Sequence, residues 1–143
     1  MDKKNLITIV CFANYCRSPC AEFILKEKYM NRFNVTSAGI EPIVKTDMDP
    51  RTKVFLNSLG VNVGLHSPKK INKKIFNDSK YVFGLDYEIV GYLNNLFPNS
   101  KQKIKLLSYQ QPHTYLPDPY HMDENNYAEV MNSIKEVCDN LRF

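Results

Sequence analysis

Apolar positions along the chain follow two alternating rhythms. Residues 6–10 (Leu-Ile-Thr-Ile-Val), 35–39 (Val-Thr-Ser-Ala-Gly), 81–85 (Tyr-Val-Phe-Gly-Leu) and 103–107 (Lys-Ile-Lys-Leu-Leu) are short β-branched, aromatic or aliphatic runs. The first and third carry almost no charge, as strands covered on both faces do. Between the runs, apolar residues recur at three and four: Ala21, Ile24, Leu25 and Tyr29; Val54, Phe55 and Leu59; Ile89, Leu93, Leu96 and Phe97; and finally Tyr127, Val130, Met131, Ile134, Val137 and Leu141. That spacing predicts amphipathic helices. Asp49 as N-cap and Pro50 as first helical residue open the second of them, and Gly60 closes it. Residues 71–77 predict a further short helix, Pro98 stops the one before the fourth strand, and Asp123 caps the last. Alternating strands and helices with short, right-handed connections give a parallel sheet with helices on both faces.

Length and composition narrow this picture. At 143 residues and 43% apolar the chain suits a single domain spanning 1–143. Residues 1–5 do not read as a leader, and no run reaches membrane-spanning length, so a cytoplasmic protein without membrane contact is expected. The cysteines, Cys11, Cys16, Cys20 and Cys138, crowd the first helix turn instead of forming a disulfide framework. No His/Cys spacing suggests structural zinc. The net charge of +4 is modest, and Lys69 to Lys74 lacks the interleaved aromatics of a nucleic-acid platform. That stretch reads as a solvated loop and helix face, or as mild steering for an anion.

The chemistry concentrates in Cys11-Phe12-Ala13-Asn14-Tyr15-Cys16-Arg17-Ser18-Pro19, which joins the first strand to the first helix. Ser18 reads as the N-cap and Pro19 as the first helical residue. Backbone N–H groups of such a loop and helix start converge on one spot, with the positive end of the helix dipole behind them. Arg17 adds a bidentate cation, and the same surroundings favour a thiolate at Cys11. Alone, Cys11 reads as a small core residue. With Arg17 six positions on and Ser-Pro behind it, it reads as a nucleophile beside an anion cradle, the equipment for phosphoryl transfer through a cysteinyl-phosphate.

This stretch resembles the active-site loop of the low-molecular-weight protein tyrosine phosphatases, in which Cys, an apolar residue, Gly, Asn, any residue and Cys precede Arg-Ser-Pro. Cys11, Asn14, Cys16, Arg17, Ser18 and Pro19 match, whereas Ala13 stands where the family usually has Gly. A second motif lies at the far end: Asp118-Pro119-Tyr120, just before the last helix, matches the family's Asp-Pro-aromatic. In isolation an Asp-Pro is a turn former.

The resemblance implies a three-layer α/β/α sandwich around a central four-stranded parallel sheet with flavodoxin-like winding. It also implies a metal-independent phosphatase without cofactors, acting on phosphotyrosine proteins or small aryl phosphates and binding inorganic phosphate or similar oxyanions. The catalytic residues are then Cys11, Arg17 and Asp118, with residues 11–18 binding phosphate. Asn14, Ser18, Ser37, His66 and Asp86 support the loop, and Cys16 is the resolving thiol under oxidation, ahead of Cys20. The family's specificity wall falls within residues 40–48, where its usual aromatic is missing, so Ile43 or Val44 supplies it opposite Tyr120. Tyr15 and Tyr87 are possible neighbours of that cleft. Two rivals share part of the pattern. A thiol-dependent arsenate reductase needs two further relay cysteines, which the chain lacks between Cys20 and Cys138. A phosphotyrosine-binding module without turnover would not need Asp118.

Overall fold

A computed structural model describes residues 5–100 and 102–143. The elements, in chain order, are β1 (Leu6–Cys11), α1 (Arg17–Lys28), β2 (Asn34–Gly39), α2 (Pro50–Ser58), α3 (Lys73–Asp78), β3 (Ser79–Gly84), α4 (Tyr87–Leu96), β4 (Ile104–Leu106) and α5 (Glu124–Asn140). All four strands are parallel, in the order β2-β1-β3-β4. Alternate residues of β1 feed opposite cores. Ile7 and Ile9 pack with α1 and α5, whereas Val10 joins Val82, Ile89 and Leu93 on the α3–α4 side. The α/β/α sandwich follows from a sheet apolar on both faces.

The helical stripe predicted for α5 is buried throughout, from Tyr127 to Val137, with Leu141 capping it. Asp49 caps α2 by accepting from Arg51 N–H, and Gly60 beyond its end takes φ +75°, the left-handed conformation that a closing glycine supplies. Lys28 at the end of α1 donates to the carbonyls of Cys138, Asp139 and Leu141, satisfying the C-terminus of α5.

Some elements differ from expectation. Ser18 is not the N-cap: α1 begins at Arg17 after Cys16, whose side chain makes no capping bond, so Pro19 is the third helical residue. The Ser18 hydroxyl has a tertiary use, described below. The third strand begins at Ser79, two residues early, and α3 runs 73–78 after its cap Asn72. Leu96 of the α4 stripe is half exposed, and the neighbouring Phe97 instead stacks on Phe76 at 4.0 Å. Among the described residues no helix is long and apolar enough to cross a membrane.

Candidate active site

The loop from Cys11 to Cys16 leaves the C-terminal end of the central strand, where open parallel sheets bind their ligands. Each of its six carbonyls is bonded outward. Ile40 N–H donates to Cys11 O, Glu41 N–H to Phe12 O, Ile43 N–H to Ala13 O and Asp49 N–H to Tyr15 O. His66 Nε2 donates to Asn14 O at 2.9 Å, and Thr52 Oγ1 to Cys16 O at 2.9 Å. Carbonyls turned outward leave the peptide N–H groups of the loop turned inward, and successive inward N–H groups form an anion-binding nest. The start of α1 adds its unpaired first-turn donors.

Asn14 holds the loop's shape. It adopts φ 54°, a left-handed conformation that asparagine tolerates better than most residues. Its buried side-chain amide donates to Ser18 Oγ at 2.8 Å and Ser37 Oγ at 2.9 Å, and its carbonyl oxygen accepts from Lys69 N–H at 2.9 Å. Because Ser18 accepts from Asn14, its own proton is free for Cys11 Sγ, 2.9 Å away. Ser37 in turn donates to Glu22 Oε1 at 2.5 Å, and His66 Nδ1 lies 3.8 Å from the same oxygen. From the Asn14 amide, hydrogen bonds thus run outward both ways, through Ser18 to the Cys11 sulfur and through Ser37 to a buried carboxylate. Ala13 adopts no positive φ, so its Cβ costs no backbone strain where the family usually has Gly. Gly39 is the position that tolerates no side chain, since a Cβ there would meet Phe12 O at 2.8 Å.

Arg17 is buried with Nη1 committed to Asp86 Oδ2 at 2.7 Å and Leu116 O at 2.9 Å. Burial alone would draw its proton affinity down, but the neighbouring Cys11 and Asp86 raise it above the ordinary guanidinium value. Asp86 meanwhile caps α4 through Ile89 N–H. Among the described residues the Nε and Nη2 edge of Arg17 makes no hydrogen bond, which leaves it for an anion.

Cys11, Phe12, Ala13, Cys16 and Arg17 form one side of a cavity of about 270 Å³, and Glu41, Ile43, Asp118, Tyr120 and His121 complete it. Asp118 is exposed at this mouth, with Oδ1 accepting from Tyr120 N–H at 3.1 Å in an Asx turn. Ile43 supplies the wall across from Tyr120; Val44 is fully exposed and does not. Tyr15 meets Tyr120 edge-on at 6.1 Å, whereas Tyr87 belongs to a separate surface depression with Tyr115. Cys16 is buried, its thiol donating to Asp49 Oδ2 at 3.7 Å, and burial pushes that thiol up to about 12. Cys20 is wholly buried in α1 and is not among the residues of this cavity.

Several site residues had no sequence signal in advance. Glu22 is a carboxylate inside an apolar helical run, and Thr52 reaches Cys16 O from α2. Arg51 grips Asp49 with Nε and Nη2 and donates to Tyr120 O at 3.0 Å and Met122 O at 3.1 Å. Burial works to raise the Asp49 carboxyl, but the bonds from Arg51 outweigh it and leave it below the usual carboxylate range. Among the described residues no group of three or more His, Cys, Asp or Glu is placed to hold a metal ion.

Residues 6–142 match the family profile described as low molecular weight phosphotyrosine protein phosphatase. The chain belongs to that family. It is 28% identical over 130 residues to a low molecular weight protein-tyrosine-phosphatase, Ptp, of Acinetobacter johnsonii, covering 91% of this chain and 89% of the relative. The tyrosine phosphatase Wzb of Escherichia coli K30, solved in complex with sulphate, superposes with a TM-score of 0.86 at 20% identity, covering 94% of each chain. The YwlE arginine phosphatase of Geobacillus stearothermophilus has the same fold, with a TM-score of 0.85 at 23% identity over 94% of this chain and 88% of that one. Low molecular weight phosphatases are phosphoric monoester hydrolases that need no metal and work through a cysteinyl-phosphate, and as a member this chain is a hydrolase of that type.

Proposed function

We propose that the chain hydrolyses phosphotyrosine in proteins, and small aryl phosphates, with Cys11 as nucleophile, Arg17 and the loop N–H groups as the phosphate clamp, and Asp118 as proton donor. One observation carries the reading: six consecutive loop carbonyls, from Cys11 to Cys16, are bonded outward around a sulfur nucleophile. Such a nest cradles the three equatorial oxygens of a phosphoryl group, and Arg17 neutralises the charge that develops on them. Cys11 attacks phosphorus in line, the S–P bond forming as the ester P–O bond breaks. Asp118 gives its proton to the departing phenolate. A water then attacks phosphorus, Asp118 takes up its proton, and the S–P bond breaks to release phosphate and the thiolate. The hydroxyl of Ser18 stabilises that leaving thiolate. Ile43 and Tyr120 line the cleft as apolar faces for an aromatic ring, with Tyr15 behind Tyr120. That lining favours phosphotyrosine over phosphoarginine.

Steady-state release of phosphate from an aryl phosphate and a phosphotyrosine peptide tests the assignment. Wild type is expected to turn both over, and Cys11→Ser to abolish turnover while inorganic phosphate still raises its melting temperature. Substantial hydrolysis by Cys11→Ser overturns Cys11 as nucleophile. A phosphoarginine peptide processed faster than the phosphotyrosine one overturns the substrate class.

A further inference from the structure

The segment after β2 lies along the phosphate loop as a short ladder, its N–H groups at Ile40, Glu41 and Ile43 bonded to the carbonyls of Cys11, Phe12 and Ala13. This ladder fixes where the residues of the segment stand. It sets Glu41 in the wall of the cavity that holds Cys11 and Arg17, on an exposed rim. Among the described residues the Glu41 carboxylate has no ion pair or hydrogen bond. The other acids bordering the site are engaged: Asp49 by Arg51, Asp86 by Arg17, Glu22 by Lys26 and Ser37. Asp118 faces the leaving group. Neither Lys45, whose ammonium lies over the Tyr15 ring at 5.5 Å, nor Lys53, paired to Asp47, makes an ion pair with Glu41 among the described residues. In a chain of net charge +4 this rim therefore presents a free negative charge.

We propose that Glu41 is a specificity-determining residue, selecting phosphotyrosine sites flanked by lysine or arginine and disfavouring acidic flanks; this rests on the phosphotyrosine reading above. With the phosphoryl group seated in the nest and the ring between Ile43 and Tyr120, the neighbouring peptide residues pass over the rim. A flanking ammonium or guanidinium on its flexible stem then reaches the Glu41 carboxylate, while a flanking carboxylate meets like charge. Because the pair stays solvent-exposed, it acts as a modest, salt-sensitive bias.

The test compares kcat/KM for three phosphotyrosine peptides identical except for Lys, Gln or Glu on both sides of the phosphotyrosine. Wild type is expected to favour the Lys over the Glu peptide by about fivefold at low ionic strength, the size of bias that exposed charge pairs give, shrinking as salt is added. Glu41→Gln is expected to bring the ratio close to one, and Glu41→Lys to invert it. A wild-type ratio near one with all peptides turned over, or the same ratio in Glu41→Gln as in wild type, overturns this role for Glu41 alone. Absence of turnover of any peptide by wild type overturns the phosphotyrosine reading and this inference with it.

Discussion

Asn14→Ala is expected to destabilise the protein far more than one surface-loop substitution ordinarily does. The change removes three side-chain hydrogen bonds, to Ser18, Ser37 and Lys69 N–H, all at 2.8–2.9 Å. At about 1 kcal/mol net for each, they contribute ~3 kcal/mol. Alanine must also hold φ 54°, a conformation that costs a residue with a Cβ roughly 1–2 kcal/mol. The sum, about 4–5 kcal/mol, is a large share of the 5–15 kcal/mol typical of a domain. In urea, with a slope of about 2 kcal/mol per molar, the midpoint should fall by about 2 M. Asn14→Gly separates the two terms, because glycine adopts positive φ freely while losing the same three bonds. It should recover ~1 kcal/mol relative to alanine. Equilibrium unfolding followed by circular dichroism, with and without inorganic phosphate, measures both variants. A loss below about 1 kcal/mol for Asn14→Ala would refute the role given to the three bonds. Equal stability of the alanine and glycine variants would refute the backbone argument.

Two further outcomes are expected. Asp118→Ala should slow hydrolysis by about 10²–10⁴-fold, the usual worth of a general acid–base, and make the rate depend more steeply on leaving-group pKa; an unchanged dependence would show the proton comes from elsewhere. Peroxide should convert Cys11 to a sulfenic acid that Cys16 condenses with, releasing water and leaving a disulfide that dithiols reverse, so Cys16→Ser should make inactivation largely permanent. Because burial holds the Cys16 thiol protonated until about pH 12, crosslinking should accelerate as pH rises, and peptide mapping that finds Cys20 in place of Cys16 would remove this role.

Sequence rules recovered what is encoded locally. The Asp49-Pro50 start and Gly60 stop of α2 depend only on neighbouring backbone donors, and the α5 stripe only on period, so both were readable. Ser18 shows where local rules give way. Its hydroxyl beside a proline satisfies the capping pattern, yet the helix opens two residues earlier, and the hydroxyl is engaged by Asn14 and Cys11 instead. Spacing in the strand-loop-helix setting pointed to Cys11 and Arg17, whereas Asp118 was legible only through the family resemblance, since an Asp-Pro by itself reads as a turn. Glu22, Arg51 and Thr52 gave no such sign, since what makes them matter is a partner 15 to 75 positions away. Val44 and Ile43 were equivalent as letters; only the register of the rungs to Phe12 and Ala13 decides which one faces inward.

The fastening of Arg51 to the carbonyls of Tyr120 and Met122 has an evolutionary corollary. The turn bearing Asp118 hangs from that strut and, through Leu116 O, from Arg17, while Asp49, which Arg51 also grips, gives its N–H to Tyr15 O in the loop bearing Cys11. The two mountings are thus inherited together. Drift at position 51 reaches the aim of the Asp118 turn and the set of the phosphate loop at once. A lineage built this way can change what it cuts only as far as it conserves how it holds.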